Sequence, residues 1–198
     1  VPRYLRNLII ALIVLAVLFG LDLVFQAGLI NPYYTRILML CGISITLAVS
    51  LNLINGFTGQ FSIGHAGFMA VGAYSSAYFS VTYGMNLANS LGGGKLGWII
   101  ALVITTLVGA AVAGVAGLAV GIPSLRLKGD YLAIVTLGFG QIIVVFLNNI
   151  EAVGGARGYS GIPIIKSFFW IFLIAILTIV IVYNIVNSGF GRALISIR

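Results

Sequence analysis

From Leu96 to Ile122 the chain reads LGWIIALVITTLVGAAVAGVAGLAVGI, without one charged side chain. A helix needs about 20 apolar residues to cross the hydrocarbon of a bilayer. This stretch is long enough to cross at a tilt, and Pro123 marks its end. Further stretches of the same kind run over about 8–29, 37–54, 66–83, 131–150 and 168–186. Hydrophobic residues make up 61% of the 198 and charged residues only 7%. A soluble domain covers itself with roughly 25% charged residues, so lipid is the solvent that suits this chain. The expectation is an all-α, polytopic transmembrane bundle of about six spans, a single domain over residues 1–198 with nothing left for a soluble one. The chain opens at Val1 rather than Met and stops at Arg198 in mid-pattern, so it reads as a piece of a longer protein. Arg3 and Arg6 precede an apolar stretch longer than the roughly 7–15 residues of a signal-peptide core, which favours a retained first span.

The net charge of +7 comes from basic residues scattered singly. That is no nucleic-acid stripe, and in a membrane protein it sets topology. With the N-terminus inside, Arg3, Arg6, Arg126, Lys128, Arg192 and Arg198 share the cytoplasmic side, and Arg36, Lys95, Arg157 and Lys166 the other. The bias favours a cytoplasmic N-terminus. Asp22 is the one acid inside an expected span. It lies towards the outer end, within reach of interface water or Arg36, and a structural role is favoured over a functional one. Cys41 stands alone in an apolar run and is expected to be buried and inert. Small residues recur at helix-contact spacing in Gly72, Ser76 and Ser80, and again in Ala113, Gly117 and Gly121. Such faces let helix backbones approach closely in lipid.

One segment interrupts the apolar pattern. LNLINGFTGQFSIGHAGFMAVGAY, residues 51–74, carries Gly56, Thr58, Gly59, Gln60, Ser62, Gly64 and His65 with no charge. Irregular backbone at membrane depth survives only when buried in protein or lining a water-filled cavity. Transporters use such breaks, because the freed backbone groups can hold a polar solute. A short cytoplasmic turn between two spans is the other reading, and the residues alone do not choose. For His65 the ordinary reading is a neutral ring bonded to a neighbouring carbonyl. No second His, Cys or Asp stands at ligand spacing, so no metal is expected.

Catalytic and energy-coupling motifs are missing. NSLGGGKLG fails the phosphate-loop pattern at Asn89 and at Leu96, and GFGQII has Ile143 where a dinucleotide fingerprint needs glycine. One His and two Asp make no convincing catalytic set, and paired carboxylates for a proton relay are absent. No catalytic residue and no cofactor is assigned. If this bundle moves solutes uphill, the energy comes from a partner.

The segment at 51–74, LRLKGDYLAIVTLGFGQII and GGARGYSGIP occur in an order and spacing that resemble the permease subunits of bacterial branched-chain amino acid ABC importers. The M-type subunit of the leucine/isoleucine/valine system is the nearest type, and the resemblance covers about Leu40 to Arg198. It implies a multi-pass protein of the bacterial cytoplasmic (inner) membrane. Its partners would be a second homologous permease, two cytoplasmic ATPase subunits that hydrolyse the ATP, and an extracytoplasmic amino-acid-binding protein. Thr58, Gln60, Ser62 and His65 would then line or gate the translocation path, with the backbone breaking at Gly56, Gly59 and Gly64. SGFGRALISIR resembles the approach to an ATPase-coupling segment, which gives Gly191, Arg192, Ala193 and Arg198 that role. In LRLKGDY, Asp130 would cap the helix that follows. Where the family often has Glu after TLGFG and Arg a few positions on, this chain has Gln141 and Val145. Relatives that import urea or short amides share the motifs loosely, and a self-sufficient channel for a small polar solute is the alternative from another class.

Overall fold

The computed structural model describes residues 3–28, 30–124, 127, 130–163 and 167–196. Among them every regular element is helical. The α-helices are α1 (Arg3–Gln26), α2 (Pro32–Asn52), α3 (His65–Ser90), α4 (Gly94–Ser124), α5 (Asp130–Asn149), α6 (Phe168–Val186) and α7 (Gly189–Ser196). Four helical stretches are long and apolar enough to cross a membrane: Pro32–Phe57, Leu96–Ser124, Tyr131–Asn149 and Phe168–Val186, with a shorter apolar run at Leu12–Gln26. The helix α3 has the length, but its Gly, Ser, Tyr and Asn content keeps it out of that set. Large apolar side chains such as Phe19, Leu107, Leu118, Ile134, Phe146 and Val180 stand exposed. That surface suits hydrocarbon and not water. Arg126, Lys128, Lys166 and Arg198 lie outside the described residues, as does the side chain of Asp130, at whose position α5 begins.

The chain forms two compact units, one of Val1–Gly59 with Ile165–Arg198 and one of Gln60–Ile164. In the first, α6 packs on both α1 and α2. Asn31 caps α2 by accepting from the Tyr33 amide, with Pro32 at the first helical position, a pairing that starts helices efficiently. A Cβ added at Gly42 would meet Ile171 at 2.9 Å, so the missing side chain is what seats α6 on α2. Phe168 stacks between Phe25 and Phe172, with ring centroids 4.8 and 4.1 Å away.

Asp22 corrects one expectation. It does not reach for Arg36: the carboxylate is 5% exposed and accepts from the Ser167 hydroxyl, the Phe169 amide and the Gln26 side chain. Phe169 is in the first turn of α6, where backbone amides lack helical partners. Asp22 is therefore a cap supplied by one helix to another. Cys41 corrects a second, for it is exposed on an apolar face of α2 and not buried.

In the second unit α3 and α4 form an antiparallel pair, Gly97 meeting the Ala88 carbonyl, Gly109 meeting Ser76 and Ala113 meeting Gly72. The seam uses Gly72, Ser76 and Ala113 as expected for lipid-phase packing. It differs from expectation at Gly117 and Gly121, where an added Cβ would meet nothing. Continued in the same register, those two would face the first turn of α3, and that turn packs on α5. After α5 the chain passes through two short 3₁₀ turns, Glu151–Val153 and Gly155–Arg157, with Tyr159 6.5 Å from the Tyr78 ring of α3.

Candidate functional site

The polar interruption has two structural halves, one in each unit. In the first unit α2 does not stop at Asn52 but widens into a π-helical turn over Leu53–Phe57. The Thr58 hydroxyl donates to the Ile54 carbonyl at 2.5 Å, satisfying one acceptor that the widened turn frees. The Asn52 side-chain oxygen fills the place where a Cβ of Gly56 would stand. Gly59 follows at φ 68°, a conformation that disfavours any residue with a side chain. Thr58 is half-buried.

In the second unit Gln60–Ile63 carry no helical or ladder bonds, and α3 starts at His65. Burial alternates along this stretch. Gln60 and Ser62 are half-buried and Gly64 is buried, whereas Phe61 is 58% and Ile63 46% exposed. Along it the polar side chains are the more covered ones and the apolar ones are presented outward. Such a pattern is inverted relative to a loop in water. His65 is half-buried.

What holds the stretch in place is α5. The Ile63 amide donates to Thr136 Oγ1 at 3.1 Å, and that hydroxyl donates in turn to the Ala133 carbonyl at 3.0 Å. Gly64 has an ordinary φ of −78°, so its glycine is required by distance and not by backbone angle. A Cβ there would lie 2.6 Å from the Thr136 carbonyl oxygen. One turn on, a Cβ at Gly67 would lie 3.1 Å from the Gly140 Cα. Thr136, Gly140 and Gly67 were not singled out among the candidate site residues. Their signal is the i, i+4 spacing of Thr136 and Gly140 in TLGFG, which puts both on one face of α5.

The remaining candidates lie at the end of the first unit. The Ser188 hydroxyl accepts from the Gly191 amide at 3.3 Å, so Ser188 caps α7. Gly191 is buried against the Val186 and Ile185 carbonyls, where no Cβ would fit. Arg192 and Ala193 are exposed, and Arg198 lies outside the described residues.

The chain is 44% identical to the high-affinity branched-chain amino acid transport system permease protein LivM of Escherichia coli, and equally to that of Salmonella typhimurium. Each match runs over 122 residues, 61% of this chain and 25% of the relative. A probable branched-chain amino acid transport permease protein LivM of Methanocaldococcus jannaschii is 28% identical over 83% of this chain and 56% of its own length. The chain thus spans a quarter to about half of the relatives it matches. No solved structure matches it. The family model described as branched-chain amino acid transport system / permease component matches residues 33–198, most of the sequence, and the chain belongs to that family.

Proposed function

We propose that this chain is the membrane-spanning permease subunit of an ATP-driven importer for branched-chain amino acids and forms half of the translocation path. Thr58, Gln60, Ser62 and His65 line or gate that path. The N-terminus is cytoplasmic, the partners are a second permease, two ATPase subunits and an extracytoplasmic binding protein, and ATP is hydrolysed by the partner. The observation that carries this reading is the inverted alternation at 60–64, with Gln60 and Ser62 half-buried and Phe61 and Ile63 outward. A stretch of that kind suits hydrocarbon on one side and a polar conduit on the other. It is anchored to α5 by the Thr136 hydroxyl rather than left as a loose turn.

The deciding experiment is uptake of labelled leucine, urea and phenylalanine by the complete transporter in a strain lacking its own importers. Leucine uptake that needs the ATPase supports the reading. Uptake of urea alone would reassign the substrate, and uptake without the ATPase would make the protein a channel.

Two residues test the parts. Gln60→Leu removes a half-buried amide from the stretch and should cut leucine uptake about tenfold, roughly 1.4 kcal/mol on the barrier. Membrane abundance should not change, and normal uptake would take Gln60 out of the path. Arg192 is exposed on α7 next to the buried Gly191, a position suited to meeting a cytoplasmic partner. Arg192→Glu should lower ATPase recovery in pull-down about fivefold, the scale of one misplaced interface charge. Equal recovery would move the coupling contact elsewhere.

A further inference from the structure

Two glycines bring the start of α3 close to α5. Gly64 lies on the Thr136 carbonyl and Gly67 on Gly140. Such contacts give close approach, and a directional bond beside them favours one register along α5. Thr136, 5% exposed, accepts the Ile63 amide, and its own donation to Ala133 fixes the side-chain rotamer that turns the oxygen toward that amide. The Ile63 amide comes before the helix begins and has no helical acceptor, and an amide covered without an acceptor is strongly disfavoured.

We infer that Thr136 is a positioning residue: its hydroxyl latches the Ile63 amide and so sets where Gln60 and Ser62 stand in the path. The inference rests on the reading of this stretch as part of the path.

The test pairs amide exchange with uptake in the full transporter. Thr136→Val keeps the shape and loses the hydroxyl, and Thr136→Ser keeps the hydroxyl. In the valine variant, hydrogen–deuterium exchange at Ile63 should rise about tenfold, with exchange in α4 unchanged. Maximal leucine uptake should fall about tenfold at equal membrane abundance. Thr136→Ser should return both to within about twofold. Unchanged exchange at Ile63 in the valine variant overturns the latch, and the path reading survives if Gln60→Leu still blocks uptake. Faster exchange with normal uptake overturns the positioning role, and Gln60→Leu then decides whether the path reading stands. Should Thr136→Val not accumulate, Thr136→Cys replaces it. Its thiol is a weak acceptor, so exchange at Ile63 should exceed that of the serine variant, and parity overturns the latch.

Discussion

Replacing Gly64 with alanine should lower leucine uptake per transporter about thirtyfold, equivalent to roughly 2 kcal/mol. The added Cβ would stand 2.6 Å from the Thr136 carbonyl oxygen and 3.3 Å from its Cβ. Real contacts of that kind are essentially never below 3.0 Å, so something must shift. The obstacle is backbone of a regular helix, which cannot swing aside as a side-chain end can. The stretch would have to lift from α5, and lifting breaks the 3.1 Å bond from the Ile63 amide to Thr136. Because Gly64 has a negative φ of −78°, alanine needs no left-handed backbone there, and the variant isolates the approach distance. Gly114→Ala, where an added Cβ meets nothing, is the matched control and should transport normally. Uptake normalised to membrane abundance reads both, and normal transport by the Gly64 variant would show that the contact with α5 is dispensable.

Four helical stretches were legible in the sequence because each carries an apolar run of bilayer length, and α3, with its Gly, Ser, Tyr and Asn, was legible as a helix of that length but not of that apolarity. The polar break was legible too, as the one uncharged stretch of Gly, Thr, Gln, Ser and His between two such runs. Its anchor was not. Thr136 is an ordinary threonine in an apolar helix, and only its position opposite Ile63, 73 residues earlier, makes it an anchor. The same limit applies to the small-residue stripe on α4. Gly109, Ala113, Gly117 and Gly121 recur every fourth position and share one face, and the spacing gives no means to see which half is used. The structure uses Gly109 and Ala113 against α3 and leaves Gly117 and Gly121 open, because the first turn of α3 is seated on α5. Periodicity shows which face packs. It does not show how far along the face the neighbour stays.

Asp22→Ala should destabilise the protein by about 3 kcal/mol, combining a lost helix cap with buried donors left unpaired. The carboxylate takes bonds from Gln26 Nε2 at 2.6 Å, the Ser167 hydroxyl at 3.1 Å and the Phe169 amide at 3.2 Å. Phe168 and Phe25 stack beside them, so water is poorly placed to replace the lost acceptor. A carboxylate at the start of α6 also faces the positive end of the helix dipole, which an alanine cannot do. Asp22→Asn keeps one acceptor oxygen for the Phe169 amide but sets an NH₂ group among donors, and should cost about 1 kcal/mol. The expected order of stability is Asp, then Asn, then Ala, read by thermal melting of the purified transporter and by abundance in the membrane. Uptake per surviving molecule should stay near normal in both variants, because the defect lies in joining α1 to α6 and not in the path. A role in carrying protons or solute predicts the opposite pattern: Asn and Ala equally inactive, with both proteins fully stable. That result would return Asp22 to the functional site and leave the capping geometry as its scaffold.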